Sequence, residues 1–242
     1  MIAIRSFLFL ILFYVYMAMM CIIGLPFLLL PRKFMRHMAK FWLGGCLVLT
    51  KYVVGINYRV IGQENLPEGS VIIAAKHQSA WETLAMHYLN FDSAYVLKKE
   101  LLSIPLFGRY LSKMNCVAVD RKAGASALKE MVTQSRIVLD NNRSLVIFPQ
   151  GTRTAPGEDR PYHPGIAGLY TQNNTAVVPV ALNSGQFWGR NAFKKVPGTI
   201  TVEYLEPIEP GLPRREFMNL LKERIETANK RIEDDVIQER GF

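Results

Sequence analysis

The chain has 242 residues, half of them hydrophobic, with 29 Lys and Arg against 20 Asp and Glu and a formal charge of +9. That length holds one sizeable α/β domain plus an appendage and excludes two domains with separate large cores. Cys21, Cys46 and Cys116 are odd in number, widely spaced and outside any CxxC or Cys/His cluster, which excludes a disulfide framework and a zinc site.

The three cysteines read as buried free thiols in a reducing compartment. The basic excess calls for an anionic partner. On a chain with a long apolar start, that partner is read as lipid headgroups or a phosphorylated substrate, and not nucleic acid.

Residues 7–30, "FLFLILFYVYMAMMCIIGLPFLLL", contain no charge and have about the length that crosses a hydrocarbon core. The stretch is too long for a signal-peptide core and ends without a small-residue cleavage site, so it is read as retained. Arg32, Lys33, Arg36 and Lys40 follow it, while only Arg5 and the amino terminus precede it. By the positive-inside rule the remainder lies on the cytoplasmic face of the inner (plasma) membrane. A second apolar stretch at 41–56 is broken by Gly44, Gly45 and Lys51; as another span it would carry the rest outside. "GLP" at 24–26 can kink the first stretch, so a single span and a hairpin dipping into one leaflet both stand. Residues 1–57 are read as a membrane-anchoring helical segment and 58–242 as the soluble domain.

Within that domain, short apolar runs at 71–75, 93–97, 116–119, 144–148 and 176–182 alternate with helical stretches such as "SALKEMVTQSRIVLDNN". The alternation predicts an α/β fold with a mostly parallel central sheet flanked by helices. "TITVEYLEPI" alternates like a late edge strand. In the tail, Phe217, Leu220, Leu221, Ile225, Ile232 and Val236 fall near helical spacing after Pro213, which predicts an amphipathic helix docked on the domain.

His77 in "AAKHQSAWET" falls at a strand-to-helix turn, where α/β enzymes keep reactive groups. His77 and Glu82 form an H-x4-E pair, and His87 with Asp92 fits the same spacing. Residues five apart on a regular helix point about 140° away from each other, so one member must lie off the helix. His77 satisfies this, ahead of a helix expected to begin near Ser79. His87 sits inside that helix and is read as a packing residue. Functionally, His77 with Glu82 suits a general base whose carboxylate fixes the imidazole tautomer; the plainer reading is a capped turn with a surface carboxylate.

Two more strand ends add weight. "FPQGTRT" at 148–154 supplies Gly151, a Thr152 hydroxyl and the Arg153 guanidinium, suited to a phosphate. "NCVAVDRK" at 115–122 places Asp120 and Arg121 just past an apolar strand.

His77, Ser79 and Glu82, then Gly108 and Arg121, then "FPQGTR", then Pro179 of "VVPVAL" occur in an order and spacing that resembles the 1-acylglycerol-3-phosphate acyltransferase family across residues 58–210. The resemblance implies that His77 takes the proton of an acceptor hydroxyl and Glu82 supports it. Arg121 and Arg153 would hold the acceptor's phosphate, Gly151 and Thr152 would form the phosphate loop, and the Pro179 segment would shape the acyl-donor side. Such enzymes move an acyl group from acyl-CoA or acyl carrier protein to lysophosphatidic acid, giving phosphatidic acid without metal or cofactor. The chain departs from the family pattern twice: Glu82 stands for the usual Asp, and Gln150 for the usual Glu, leaving a neutral acceptor toward the glycerol. Gln150 therefore keeps open another lysolipid acceptor, such as a lyso-ornithine lipid or a headgroup-bearing lysophospholipid. A non-catalytic membrane lipid-binding protein is the remaining alternative. No "GxSxG" elbow is present, so direct transfer without a covalent enzyme intermediate is expected.

Overall fold

The computed structural model describes residues 1–240. Seven strands form one sheet in the order β1-β7-β6-β2-β5-β3-β4: β1 Ile56–Ile61, β2 Ile72–Ala75, β3 Ala94–Lys98, β4 Val117–Val119, β5 Leu145–Ile147, β6 Val177–Leu182 and β7 Gly198–Tyr204. All neighbours pair in parallel except β6 with β7. The five apolar runs of the sequence are β2 to β6.

"TITVEYLEPI" is not an edge. Its strand β7 lies between β6 and β1, with Ile56 to Ile61 registered on Gly198 to Glu203. Strand β1 was not read as a strand because "INYRVI" exposes most of its side chains and mixes polar with apolar residues. It also begins two residues before the expected boundary at 57/58.

Strand alternation divides the core in two. Ile72 and Ala74 face α6 Ala125–Asp140, α7 Gly165–Asn173 and α8 Arg214–Arg240, packing with Met131, Tyr170, Phe217, Leu221 and Ile225. Ile73 and Ala75 face the other way, onto Trp81, Ala85 and Met86 of α4 Trp81–Leu89, with Leu47, Val54 and Phe9. The tail helix is thus docked as its spacing predicts, starting directly after Pro213. Each fully buried residue of its stripe contributes about 1.5–3 kcal/mol.

The amino-terminal segment is a helical hairpin. Helix α1 Ile2–Ile23 stops at Gly24, the short α2 Leu25–Leu29 carries Pro26 in its first turn, and α3 Arg32–Leu49 returns alongside α1 before a π-turn at Thr50–Val54. The π-turn closes on Gly55 at φ +75°, a left-handed conformation that favours glycine.

Helix α1 is tied to the domain at both ends. The Lys195 N–H donates to Ser6 Oγ at 2.9 Å and Arg5 Nε to the Val53 carbonyl at 2.7 Å, while Tyr110 donates to the Cys21 carbonyl at 2.5 Å. Phe9 meets Trp188 edge-on. Ile4, Phe7, Tyr14, Val15 and Ile22 face outward and stay exposed. The helix is thus packed on the domain along one side, at Ser6, Phe9 and Met20, and is long and apolar enough to cross a membrane by length and composition. The thiols are free as expected, but Cys46 alone is fully buried; Cys21 and Cys116 are half-buried.

Candidate active site

The site is built on the turn between β2 and α4. The helix begins at Trp81, two residues later than expected, which places Glu82 in its first turn with the carboxylate folded back over the preceding N–H groups. Its Oε1 accepts from the N–H of Gln78 and of Ser79, both at 2.6 Å, and lies 2.8 Å from His77 Nδ1. Its Oε2 accepts from the Ser184 hydroxyl at 2.7 Å. Glu82 is fully buried, so the surface carboxylate of the plainer reading is ruled out.

A carboxylate oxygen already engaged by two backbone N–H donors offers the ring a lone pair. His77 therefore donates from Nδ1, and Nε2 is left as the acceptor. The imidazole keeps 14% of its surface open and stacks on Phe148 at 4.2 Å between ring centres, 18° from parallel. One edge is fixed by Glu82 and one face by Phe148; the free nitrogen points at neither.

Residues 148–154 join the pieces. The Gly151 N–H closes a tight turn on the Phe148 carbonyl at 2.9 Å, with Gly151 at φ +64°. A Cβ there would stand 2.6 Å from His163 Cδ2, so the turn and the close ring both require glycine. Arg121 donates to the Gly151 carbonyl at 2.7 Å, which brings the end of β4 to this loop. At the loop's far end, Thr154 donates to the His77 carbonyl through its N–H at 2.8 Å and its hydroxyl at 3.0 Å. Among the described residues, the Thr152 and Arg153 N–H groups have no partner within the chain and the Arg153 guanidinium no carboxylate. Two free N–H groups and two guanidinium-bearing residues at one loop are suited to an anion.

Two expected site residues are placed differently. Gln150 is 1% exposed, and its Oε1 accepts the His77 N–H at 3.0 Å, so it supports the turn from beneath instead of facing an acceptor. Its Nε2 has no partner among the described residues. Pro179 is buried inside β6 beside Ala74, three residues short of His77 along the neighbouring strand. There Val180 faces Tyr204 while Val177 faces Ile208, one extra residue on the β7 side. Pro179 sits at this bulge, where a residue without an N–H is tolerated in an interior strand.

Gly108, in α5 Phe107–Lys113, lets that helix pass the Leu102 carbonyl, 1.9 Å from where a Cβ would stand. The second H-x4-acid pair does not form. His87 is buried with Nδ1 3.5 Å from Ser93 Oγ, and burial lowers its pKa to about 4. Asp92 turns instead to Arg32, Arg36 and Arg143.

Sequence reasoning passed over Phe148, Thr154, His163 and Ser184. Ser184 carried a usable signal, since it lies two residues past the end of a strand at the same carboxyl edge of the sheet.

The sequence pattern of the family described as Acyltransferase matches residues 57–183. A 1-acyl-sn-glycerol-3-phosphate acyltransferase of Pseudomonas aeruginosa is 37% identical over 167 residues, covering 69% of this chain and 65% of that protein. One from Bacillus subtilis is 30% identical over 188 residues, covering 74% of this chain and 90% of that protein. The chain spans slightly less than two thirds of the length of the Pseudomonas relative and of one from Limnanthes douglasii, 65% in each case. Among solved structures, the 1-acyl-sn-glycerophosphate acyltransferase of Thermotoga maritima superposes with a TM-score of 0.80 over 96% of this chain and 98% of that one. At 20% identity, that likeness speaks to the fold alone.

Proposed function

Since the chain belongs to the acyltransferase family, we propose that it transfers an acyl group from an acyl thioester, acyl-CoA or acyl carrier protein, to the free hydroxyl of lysophosphatidic acid, giving phosphatidic acid. The observation that carries this reading is the 2.8 Å contact from His77 Nδ1 to Glu82, on a turn laced to the same loop that Arg121 grips.

In the proposed reaction, His77 Nε2 takes the proton of the acceptor hydroxyl as its oxygen attacks the thioester carbonyl. The C–O bond forms, the C–S bond breaks, and the proton on Nε2 passes to the departing thiolate. Glu82 holds the ring in the tautomer that leaves Nε2 able to accept. Arg121, Arg153 and the free N–H groups of Thr152 and Arg153 bind the acceptor's phosphate and hold the hydroxyl near the ring, the positioning contribution to rate. Gln150 serves by fixing the His77 backbone, so it lends no support to a different lysolipid. Pro179 acts on the donor side through the strand it shapes.

The hairpin lies in one leaflet of the membrane. The outward residues of α1 are apolar and exposed, and α3 of the same hairpin carries the exposed Lys33 and Lys40, the combination that binds an anionic membrane surface. This keeps the site at the cytoplasmic face, where lysolipid and thioester donor meet.

Purified protein offered several lysolipids, with acyl-CoA and with acyl carrier protein as donors, tests the reading. Lysophosphatidic acid is expected to be the preferred acceptor, with product formation by His77→Ala lowered about 10²- to 10⁴-fold or more. Lipid binding without acyl transfer from either donor to any lysolipid would replace the enzyme by a lipid-binding protein.

A further inference from the structure

Strand alternation does not stop at the end of β2. His77 turns toward the α4 side of the sheet, so its neighbours Lys76 and Gln78 turn toward the other side, where α8 lies. Both neighbours are buried, and each is held by a glutamate of α8. Lys76, 1% exposed, places Nζ 2.6 Å from Glu226 Oε2, and Tyr162 donates its hydroxyl to Glu226 Oε1 at 2.8 Å. Gln78 donates from Nε2 to Glu233 Oε1 at 2.6 Å, while its own Oε1 accepts the Gly185 N–H at 3.0 Å.

Glu226 and Glu233 are seven residues apart, two helical turns, and therefore share one face of α8. Asn229, between them on that face, donates to Glu233 and accepts the Leu182 N–H at 3.1 Å. The Gly157 N–H, in the chain following the 148–154 loop, donates to Glu233 Oε2 at 3.1 Å.

We infer that the polar face of α8 is a positioning device for the proposed reaction: Glu226 and Glu233 grip the residues on either side of His77 and so set where the imidazole stands. This deepens the reading of His77 as general base and rests on it. Lys76 is buried while Glu226 is 26% exposed, so desolvation of the lysine offsets much of the pair's attraction and makes it a poor source of stability. A lysine buried beside the base is better explained by the geometry it enforces. Glu226 and Glu233 touch no reacting atom and act through the backbone of residues 76–78.

The test separates stability from positioning by replacing both members of the pair at once. Lys76→Met with Glu226→Leu leaves no unpaired charge, and an adjoining groove of about 740 Å³ gives the new side chains room. The double variant is expected to fold with a Tm near the parent's, the relief of the buried charge being offset by the Tyr162 hydroxyl left without its acceptor. Its kcat is expected to fall about 10- to 100-fold, the cost of displacing a catalytic group by a fraction of an ångström to 1 Å, with KM for acceptor and donor unchanged. Lys222→Met, on the same helix as Glu226, breaks only a surface pair with Asp159 of the loop region preceding α7 and keeps the parental rate. Amide hydrogen exchange across residues 76–80 is expected to quicken in the double variant and not in Lys222→Met.

Parental kcat in the folded double variant overturns the inference. Should the parent transfer no acyl group, the reading of His77 as base has failed, and exchange still decides the clamp: unchanged protection of residues 76–80 overturns it. If the double variant does not fold, Lys76→Met alone removes the buried charge and leaves Glu226, partly exposed, with the Tyr162 hydroxyl; the same split between kcat and KM is expected on a smaller scale, and a parental kcat overturns the inference.

Discussion

The turn at 76–82 and the end of α4 at 87–93 carry the same spacing, a histidine followed five residues later by an acid, and fold to opposite ends. In the first, the helix starts at Trp81 and the histidine lies outside it, so the Glu82 carboxylate closes back on the His77 ring. In the second, His87 is inside the helix, and the chain turns at Asp92 with φ +63°, which sends the carboxylate away to three arginines. Burial alone would raise the Asp92 carboxyl, yet the hydrogen bond from Arg32 and the charge of Arg143 bring it below the usual value. Spacing alone is therefore uninformative. What decides is whether a helix start falls between the two residues.

The sharpest way to break the comparison is to remove each imidazole. His77→Ala is expected to lower kcat by about 10²- to 10⁴-fold or more, since it deletes the proposed general base, and to leave the protein folded. His87→Leu is expected to keep the parental kcat. Steady-state kinetics on both variants checks this, and equal rates in the two would erase the distinction.

The acids make the complementary pair. Asp92→Ala leaves the buried Arg143, with Arg32 and Arg36, facing no carboxylate, and detaches the α3 end of the hairpin from the domain. Breaking a pair of this kind costs about 3–5 kcal/mol, read as a lower denaturation midpoint, with kcat at low temperature near the parent's. Glu82→Gln acts on rate instead. The oxygen facing Nδ1 also accepts two backbone N–H groups, so the amide keeps its oxygen there and turns its NH2 to Ser184; the ring keeps its tautomer but loses the negative charge that stabilises its protonated form, and kcat is expected to fall about 100-fold, worth about 2.7 kcal/mol. An Asp92 variant that lost rate without stability would reverse the assignment of the two acids.

How much of this was legible depended on the range over which residues act. The parallel strands were visible because each is a short apolar run bounded by turns, and His77 with Glu82 because both lie within one turn. Strand β7 was misplaced at the edge because its cover, β1, joins it from about 140 residues earlier. Pairing at that distance leaves no mark on local pattern. Ser184 and Thr154 escaped for the same reason: each reaches the His77–Glu82 turn from a different strand end. Helix α1 is apolar on every side, so its sequence has no face to read; Ser6, Phe9 and Met20 are buried by the surface they meet. The Gln150 position was read for its charge, whereas its place under the turn makes its carbonyl the relevant group.

The smallest effect tests the second histidine by pH. His87 has a folded pKa of about 4 because burial opposes its charged form, against about 6.5 when unfolded. Between those values the unfolded chain binds the proton and the folded chain does not, so stability is complete above pH 6.5 and falls as pH drops toward 4. From pH 7.5 to 5.5 the loss from this group is about 1.3 kcal/mol. Glu233, raised chiefly by burial, runs the other way: the stability attached to its protonated form is lost as pH rises through its folded value. The total slope therefore mixes both groups, and the difference between parent and His87→Leu isolates one. Denaturant midpoints at the two pH values are expected to separate less in His87→Leu than in the parent. An equal separation in both would mean that His87 is protonated in the folded protein, and the contrast between a working imidazole and a packed one would lose its electrostatic basis.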